Sequence, residues 1–393
     1  MRRQDRPLPG PFRRVSRHRR GRPPARSARP HVPAARAAVA GPHRALAPQP
    51  GPGMSGAATS GPRILVIRRE NIGDLVCTTP LLRALRAQLP GAWIGTLVTR
   101  YTAPVLAGNP DLDQVFSYQK AKHRTPEESL TGIYWRRLKT IAELRALRCD
   151  WVLLPGGPHA SALRFAKWIS PVRTLVRGPE AVAAGPHEVE QACSLLAGMG
   201  LRVAAPPARL AAAPAECEAL AARVREHLGW RPERIVAIHI SARKPSQRWV
   251  GARFAELIRR LPAPAGSAFM LLWAPGSERN PRHPGDDEKA AQIEAALRGV
   301  PLVPIATRRL EELIAALALC ERVICADGGA MHLAAALGKP MVCLFGDSDA
   351  ARWGPWRTVH ELLQPPSRNV ADIMVEDVMQ AYGRLCARNP SGT

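Results

Sequence analysis

The 393-residue sequence has no cysteines spaced C-x-x-C, no apolar run approaching the length of a bilayer-spanning helix, and a single acid, Asp5, in its first 53 residues. Each absence removes a class of protein. Eight scattered cysteines (77, 149, 193, 217, 320, 325, 343 and 386) offer neither the paired thiolates of a structural zinc site nor a dithiol couple, and read as reduced core residues. The arginine-rich start is not followed by the apolar stretch a signal peptide needs, and no segment is built to span a membrane, which together predict a cytosolic protein. Residues 1–53 hold thirteen arginines and eleven prolines with almost nothing to bury, so they are expected to be disordered. They carry twelve of the twenty-four net positive charges. Met54 opens Met-Ser-Gly-Ala-Ala, so the upstream stretch reads as an extension ahead of the true start or as a polyanion-binding arm. The first reading is favoured, because Arg-Pro tracts bind polyanions without any specific nucleic-acid partner.

What is present is alternation. Apolar, β-branched runs at Ile64–Ile67, Trp93–Val98, Val115–Phe116, Trp151–Leu154 and Thr174–Val176 are separated by helical periodicity, notably about 74–88, 131–148 and 187–200. A polar, proline-bearing stretch from Arg202 to Pro214 interrupts the pattern and is placed as a linker. It resumes with Ile235–Ile240, Phe269–Trp273, Leu302–Ile305, Arg322–Cys325 and Met341–Phe345, with helices near 253–260, 286–298 and 308–319. Such βαβ alternation predicts two mainly parallel sheets. The expected division is an Arg/Pro-rich extension at 1–61, Rossmann-like domains at 62–208 and 209–365, and a C-terminal helix and tail at 366–393.

Two strand-turn-helix units carry the chemistry. In Ala326-Asp327-Gly328-Gly329-Ala330-Met331-His332 a strand stops at an acid, two glycines let the backbone turn, and a helix begins at once. Its unpaired N–H groups make an anion seat, and the glycines let a diphosphate approach the main chain. About 250 residues earlier, Ile64-Leu65-Val66-Ile67-Arg68-Arg69-Glu70-Asn71-Ile72-Gly73-Asp74 has a similar shape and leads to Thr79-Pro80.

This segment resembles the N-terminal signature of family 9 glycosyltransferases, the ADP-heptose heptosyltransferases of lipopolysaccharide core assembly. The family's later landmarks follow in order: Asn109-Pro110 with Asp111 and Asp113, Ser246-Gln247-Arg248-Trp249, the glycine turn with His332, and Leu344-Phe345-Gly346 leading to Arg352-Trp353-Gly354-Pro355-Trp356. The resemblance covers roughly residues 62–385. It implies a GT-B fold, two Rossmann-like domains facing a cleft with sites at the carboxyl ends of the strands. It implies an inverting glycosyltransferase that takes heptose from ADP-heptose, a co-substrate with no further cofactor, to an acidic, lipid-linked inner-core saccharide at the inner membrane surface.

It also implies that Asp74 is the general base, with Gly73 kept small beside the incoming acceptor. Arg68 and Arg69 either bind acceptor acids or are solvated loop charges. The leaving diphosphate is expected on Gly328 and Gly329, with His332 as a donor or as a satisfied half-buried histidine. Where the family often has a lysine this chain has Gln247, so the phosphate cation falls to Arg248, Lys244 or Arg243. The ribose acid is expected among Glu278, at the turn after a strand, and Asp286 and Asp287, its rivals after an Arg-Asn-Pro-Arg-His-Pro insertion; Asp327 is expected on the heptose hydroxyls. The triplets Asp111-Leu-Asp113 and Asp347-Ser-Asp349 would suit a divalent ion, but helix-end N–H groups and cations fill that role in this architecture, so no metal is expected. A heptosyltransferase acting on another acceptor such as a protein, and a non-catalytic nucleotide-sugar-binding module, are the alternatives.

Overall fold

The computed structural model describes residues 61–120, 129–262, 264–280 and 284–389; the Arg/Pro-rich stretch 1–60, and with it the expected disorder, lies outside them. The first half contains β1 (Arg63–Ile67), α1 (Ile72–Val76), α2 (Thr79–Gln88), β2 (Trp93–Thr99), β3 (Gln114–Tyr118), α3 (Leu130–Ala146), β4 (Trp151–Leu154), α4 (Ala160–Ile169), β5 (Arg173–Val176), α5 (Glu188–Cys193) and α6 (Leu195–Gly198). The second contains α7 (Pro214–Leu228), β6 (Arg234–His239), α8 (Gly251–Arg260), β7 (Ser267–Trp273), α9 (Asp287–Ala296), β8 (Leu302–Ala306), α10 (Leu310–Leu319), β9 (Arg322–Ala326), α11 (Gly329–Ala336), β10 (Met341–Leu344), α12 (Ala350–Trp353), β11 (His360–Leu363) and α13 (Val375–Arg388).

Both sheets are parallel throughout, in the orders β3-β2-β1-β4-β5 and β11-β10-β9-β6-β7-β8. Each is buried on both faces, which is why the central strands read as continuous apolar runs. The outer face of the first sheet packs on α3 and α4 through Leu144, Phe165 and Ile169, and that of the second on α8, α9 and α13 through Phe254, Ile293 and Val378. The inner faces share one apolar cluster: Leu75 and Val76 of α1 belong to the same group as Met331 and Leu333 of α11. Helices α1 and α11 pack directly on one another, so the two strand-turn-helix units meet. This is the GT-B arrangement that the resemblance implies.

The structure divides the expected helix 74–88 into α1 and α2. Pro80 lacks an N–H and its ring excludes the carbonyl four residues back, so α1 cannot run through; it becomes the second residue of a new helix instead. Residues 201–213 form no regular element. They are nevertheless tied down, with Arg209 N–H on Thr79 Oγ1 at 3.1 Å and the Pro206 carbonyl accepting from the Trp356 indole at 2.9 Å. Pro214 then opens α7 at its first position.

Candidate active site

At the carboxyl end of β1 the chain turns through Arg68–Asn71 into α1, and Asp74 falls in the first helical turn. Its Oδ2 accepts from the backbone and side-chain nitrogens of Asn71, both at 3.0 Å, while Oδ1 accepts from Arg68 Nη2 at 2.8 Å. Burial pushes this carboxyl up, but the Arg68 charge and the Asn71 hydrogen bonds outweigh it, so Asp74 titrates below the ordinary aspartate value. It is therefore ionised at neutral pH, with acceptor capacity left on Oδ1.

Arg68 is not a solvated loop charge. It is 2% exposed and lies between Asp74, Glu70 and Glu188 at 2.8–3.2 Å. Arg69 stacks on the rings of Tyr118 and Phe165 at about 5 Å and its Nε donates to the Tyr118 hydroxyl. Gly73 has a packing reason to be small: a Cβ there would lie 2.4 Å from the His332 ring, so the missing side chain accommodates α11. His332 is thereby wedged between the helices, 3.7 Å from Cys77 Sγ, and burial, with a smaller contribution from neighbouring His187, lowers its pKa to about 4. It stands neutral, more buried than the half-buried residue expected.

The glycine turn divides its labour. Gly329 packs on α1, where an added Cβ would sit 3.3 Å from Ile72. Gly328 is exposed, and a Cβ there would meet nothing within 4 Å: this residue faces open space at the α11 N-terminus. Asp327, 7% exposed, accepts from Gln247 Nε2 at 2.6 Å, and the same amide nitrogen lies 2.9 Å from Ser348 Oγ. Burial raises the Asp327 pKa, and the neighbouring Ser348 and Lys244 only partly offset it.

Among the cation candidates, Arg248 is bound by Glu278 at 3.0 Å, by the fully buried Asp286 at 2.5 Å and by the Ala242 carbonyl at 2.8 Å. Lys244 pairs with Asp347 at 3.2 Å. Arg243 is exposed, and its charge acts on Tyr101 at the end of β2 in the opposite half. Of the acids, Asp287 is committed to the turn after β7, accepting from the Trp273 indole at 2.8 Å and the Gly276 N–H at 2.9 Å. Asp286 is shut in with Arg248 and Lys289, whereas Asp287 and Glu278 are both exposed, Glu278 resting on Arg248 at 3.0 Å. The Asp-x-Asp residues are likewise engaged: Asp111 with Arg209, Asp113 with Arg86, Asp347 with Lys244, and Asp349 as the cap of α12.

Sequence reasoning missed Glu188, Arg177 and Arg352. Glu188 is 1% exposed at the start of α5 and is ringed by Arg68, Arg177 and Arg352 at 2.7–2.8 Å. Removing the partners of so buried a charge costs about 3–5 kcal/mol. Beside it, His187 Nδ1 accepts from the Val189 N–H at 3.1 Å, so Nε2 carries the proton and donates to the Gly354 carbonyl at 2.9 Å. The only sequence signal was the Arg-Trp-Gly-Pro-Trp segment, three of whose members reach out of the second half: Arg352 to Glu188, Gly354 to His187, and Trp356 against His187 and Pro206, while Trp353 packs on His332 within it.

Residues 172–382 match the family described as glycosyltransferase family 9 (heptosyltransferase). Lipopolysaccharide heptosyltransferase 3 of Escherichia coli is 23% identical over 357 residues, covering 82% of this chain and 98% of that protein. Lipopolysaccharide heptosyltransferase 2 of Salmonella typhimurium is 26% identical, covering 73% of this chain and 83% of that protein. Two solved structures share the fold: E. coli ADP-heptose lps heptosyltransferase II (TM-score 0.65, 22% identity, 84% of this chain and 100% of that one) and E. coli heptosyltransferase WaaC with ADP (TM-score 0.66, 20% identity, 82% and 99%).

Proposed function

Because this chain belongs to glycosyltransferase family 9, we propose that it transfers heptose from ADP-heptose to an acidic saccharide of the lipopolysaccharide inner core, with inversion at the anomeric carbon. One observation carries the reading: Asp74, ionised and held at both oxygens, lies on a helix whose preceding residues, Ile72 and Gly73, touch Gly329 and His332 of the glycine-turn helix. A base and a diphosphate seat are thus side by side. An acceptor hydroxyl gives its proton to Asp74 as its oxygen attacks the anomeric carbon from the face opposite ADP. The departing phosphate charge falls on the α11 N-terminus at Gly328 and on Arg243. Glu278 takes the ribose hydroxyls and Asp327 the heptose hydroxyls, with no metal ion in the chemistry. Incubation with ADP-heptose and delipidated inner-core oligosaccharides tests this: a heptose-mass product of inverted anomeric configuration is expected, and ADP release from none of the acceptors would refute it.

The acceptor is lipid-linked, and this reading places the protein peripherally on the cytoplasmic face of the membrane. Among the described residues no helix is long and apolar enough to cross one. Instead α3 and α4 expose Tyr134, Trp135, Leu138, Leu163 and Trp168, with Val172 beyond, interleaved with Arg136, Lys139, Arg164 and Lys167. Such a mixture suits an anionic lipid surface, where aromatic rings insert and bases pair with headgroups. Replacing Trp135 and Leu138 by Ala should lower binding to phosphatidylglycerol-containing vesicles by several-fold in flotation while leaving ADP affinity unchanged.

A further inference from the structure

Three arginines from separate parts of the chain converge on one carboxylate. Glu188 Oε1 accepts from Arg68 Nη2 at 2.8 Å and Arg177 Nη1 at 2.7 Å, and Oε2 accepts from Arg352 Nη2 at 2.8 Å and Nε at 3.1 Å. Every acceptor position is filled. Neutralising a buried acid takes one arginine, so the other two need a further reason. The arrangement has a direction: the Arg68 nitrogen that reaches Glu188 also reaches Asp74 Oδ1 at 2.8 Å, whereas Arg352 comes from α12, beyond β10 in the other half. A continuous line of charge-assisted hydrogen bonds therefore runs Arg352–Glu188–Arg68–Asp74 across the two halves.

We infer that Glu188 is a positioning residue that makes the orientation and basicity of Asp74 depend on the docking of Arg352. The inference rests on the reading of Asp74 as the base. Glu188 and Asp74 compete for one guanidinium. With Arg352 docked, part of the Glu188 charge is satisfied from the second half, and Arg68 is left to fix Asp74 in its ionised form. With Arg352 withdrawn, Glu188 draws Arg68 towards itself and Asp74 loses both its anchor and its nearest cation. The base is then fully armed only when the halves are joined, which prevents proton abstraction in an open cleft. The other groups facing this line do not compete for its protons near neutrality. His332 from α11 and His187 beside Glu188 are held neutral chiefly by burial, which also pushes up the thiol of Cys77 just after α1. Glu70 sits on Arg68 Nε, and Asn71 has no charge.

The test is the pH profile of kcat with ADP-heptose and a delipidated Kdo-terminated oligosaccharide, beside ADP affinity by calorimetry. Glu188→Gln removes a negative charge near Asp74, so its acid limb should move to lower pH. Arg352→Gln removes a positive one, so its limb should move to higher pH. Arg352→Gln should lower kcat about tenfold or more, whereas Glu188→Gln, which leaves Arg68 to Asp74 alone, should lower it less; both should keep ADP affinity within twofold of wild type, and Arg352→Lys should recover most of the loss. Arg352 is 40% exposed, so its variants carry the test if Glu188→Gln fails to fold. A kcat for Arg352→Gln within twofold of wild type, or limbs that move the same way in both variants, would overturn the inference while leaving Asp74 as base. Full turnover by Asp74→Asn would overturn both.

Discussion

At the end of β1, Asp74 is gripped by an arginine and by both nitrogens of Asn71; at the end of β9, Asp327 is held by the neutral amide of Gln247, and the next residue, Gly328, faces open space. The same strand-turn-helix shape thus serves two electrostatic purposes. The first turn is crowded with charge and fixes one carboxylate below its ordinary pKa; the second, largely neutral, lets burial raise the pKa of its acid. On the proposed reading, the first turn must place a base to within a fraction of an ångström and keep it ionised, whereas the second must leave a diphosphate seat unneutralised until its own anion arrives. The sharpest way to break this contrast is to remove the charge from the first turn alone. Asp74→Asn keeps the shape and most of the hydrogen bonds, so transfer should fall by about two to four decades with ADP affinity nearly unchanged. Turnover within a few-fold of wild type would take the base away from the first turn.

The two turns were not equally legible in sequence. Strands β1, β4, β6, β7, β9 and β10 are local apolar runs and show themselves. So do the glycines at 328 and 329, but their division of labour is set by Ile72, over 250 residues away, and a sequence cannot order such a contact. Glu188 was invisible for the same reason: its partners Arg68 and Arg352 are 120 and 164 residues distant, and Glu-Val-Glu reads as an ordinary acidic first helical turn. Strand β11 was missed because it is a four-residue edge of His-Glu-Leu-Leu, half-buried throughout and without alternation. Arg68 was taken for an acceptor ligand or a solvated charge because nothing near it in sequence discloses its burial.

The next effect concerns the second turn. If Arg243 is the cation that meets the diphosphate, Arg243→Ala should weaken ADP binding about tenfold, the loss of one charge-assisted contact worth about 1.5 kcal/mol. Lys244→Ala, which removes a partner already spent on Asp347, should change it less than twofold. Gln247→Lys would make the second turn resemble the first by setting a cation on Asp327, lowering the pKa of that acid and tightening ADP a few-fold. Calorimetric titration of the three variants orders them; an unchanged affinity in Arg243→Ala would return the role to Arg248 and require its release from Asp286.

Where the turns touch, the contact itself is pH-sensitive. His332 titrates near 4 in the folded protein against about 6.5 when unfolded, so between those values the unfolded chain binds a proton that the folded chain refuses. Its contribution therefore falls as pH drops from 6.5 towards 4, by about 3 kcal/mol at most. His239, also near 4 and buried behind Asp286 and Lys289, adds to the same slope. His332→Gln should flatten the fall in melting temperature between pH 7 and 5 by several degrees. A slope identical to wild type would mean that protonated His332 is accommodated, and that α1 and α11 separate more easily than their packing implies.

The smallest effect is expected from removing divalent ions, and it decides whether the second turn's neutrality is complete. Asp347 and Asp349 lie just beyond β10 near that turn, and a metal held there would make it the more highly charged of the two. Asp347 is paired with Lys244, and Asp349 Oδ1 accepts from the backbone N–H groups of Ala351 and Arg352 at the start of α12. In the first half Asp111 and Asp113 are separately bound by Arg209 and Arg86, so neither triplet presents two free carboxylates to one ion. On the proposed reading the leaving-group charge already has the α11 N–H groups and Arg243 to receive it. Transfer in excess EDTA should keep at least half its rate, the remainder reflecting slower ADP release or less shielding of an acidic acceptor. Abolition of activity restored by Mn²⁺ or Mg²⁺ alone would show that one triplet breaks its ion pairs to hold a catalytic metal, and the two turns would then differ in the source of their charge and no longer in its presence.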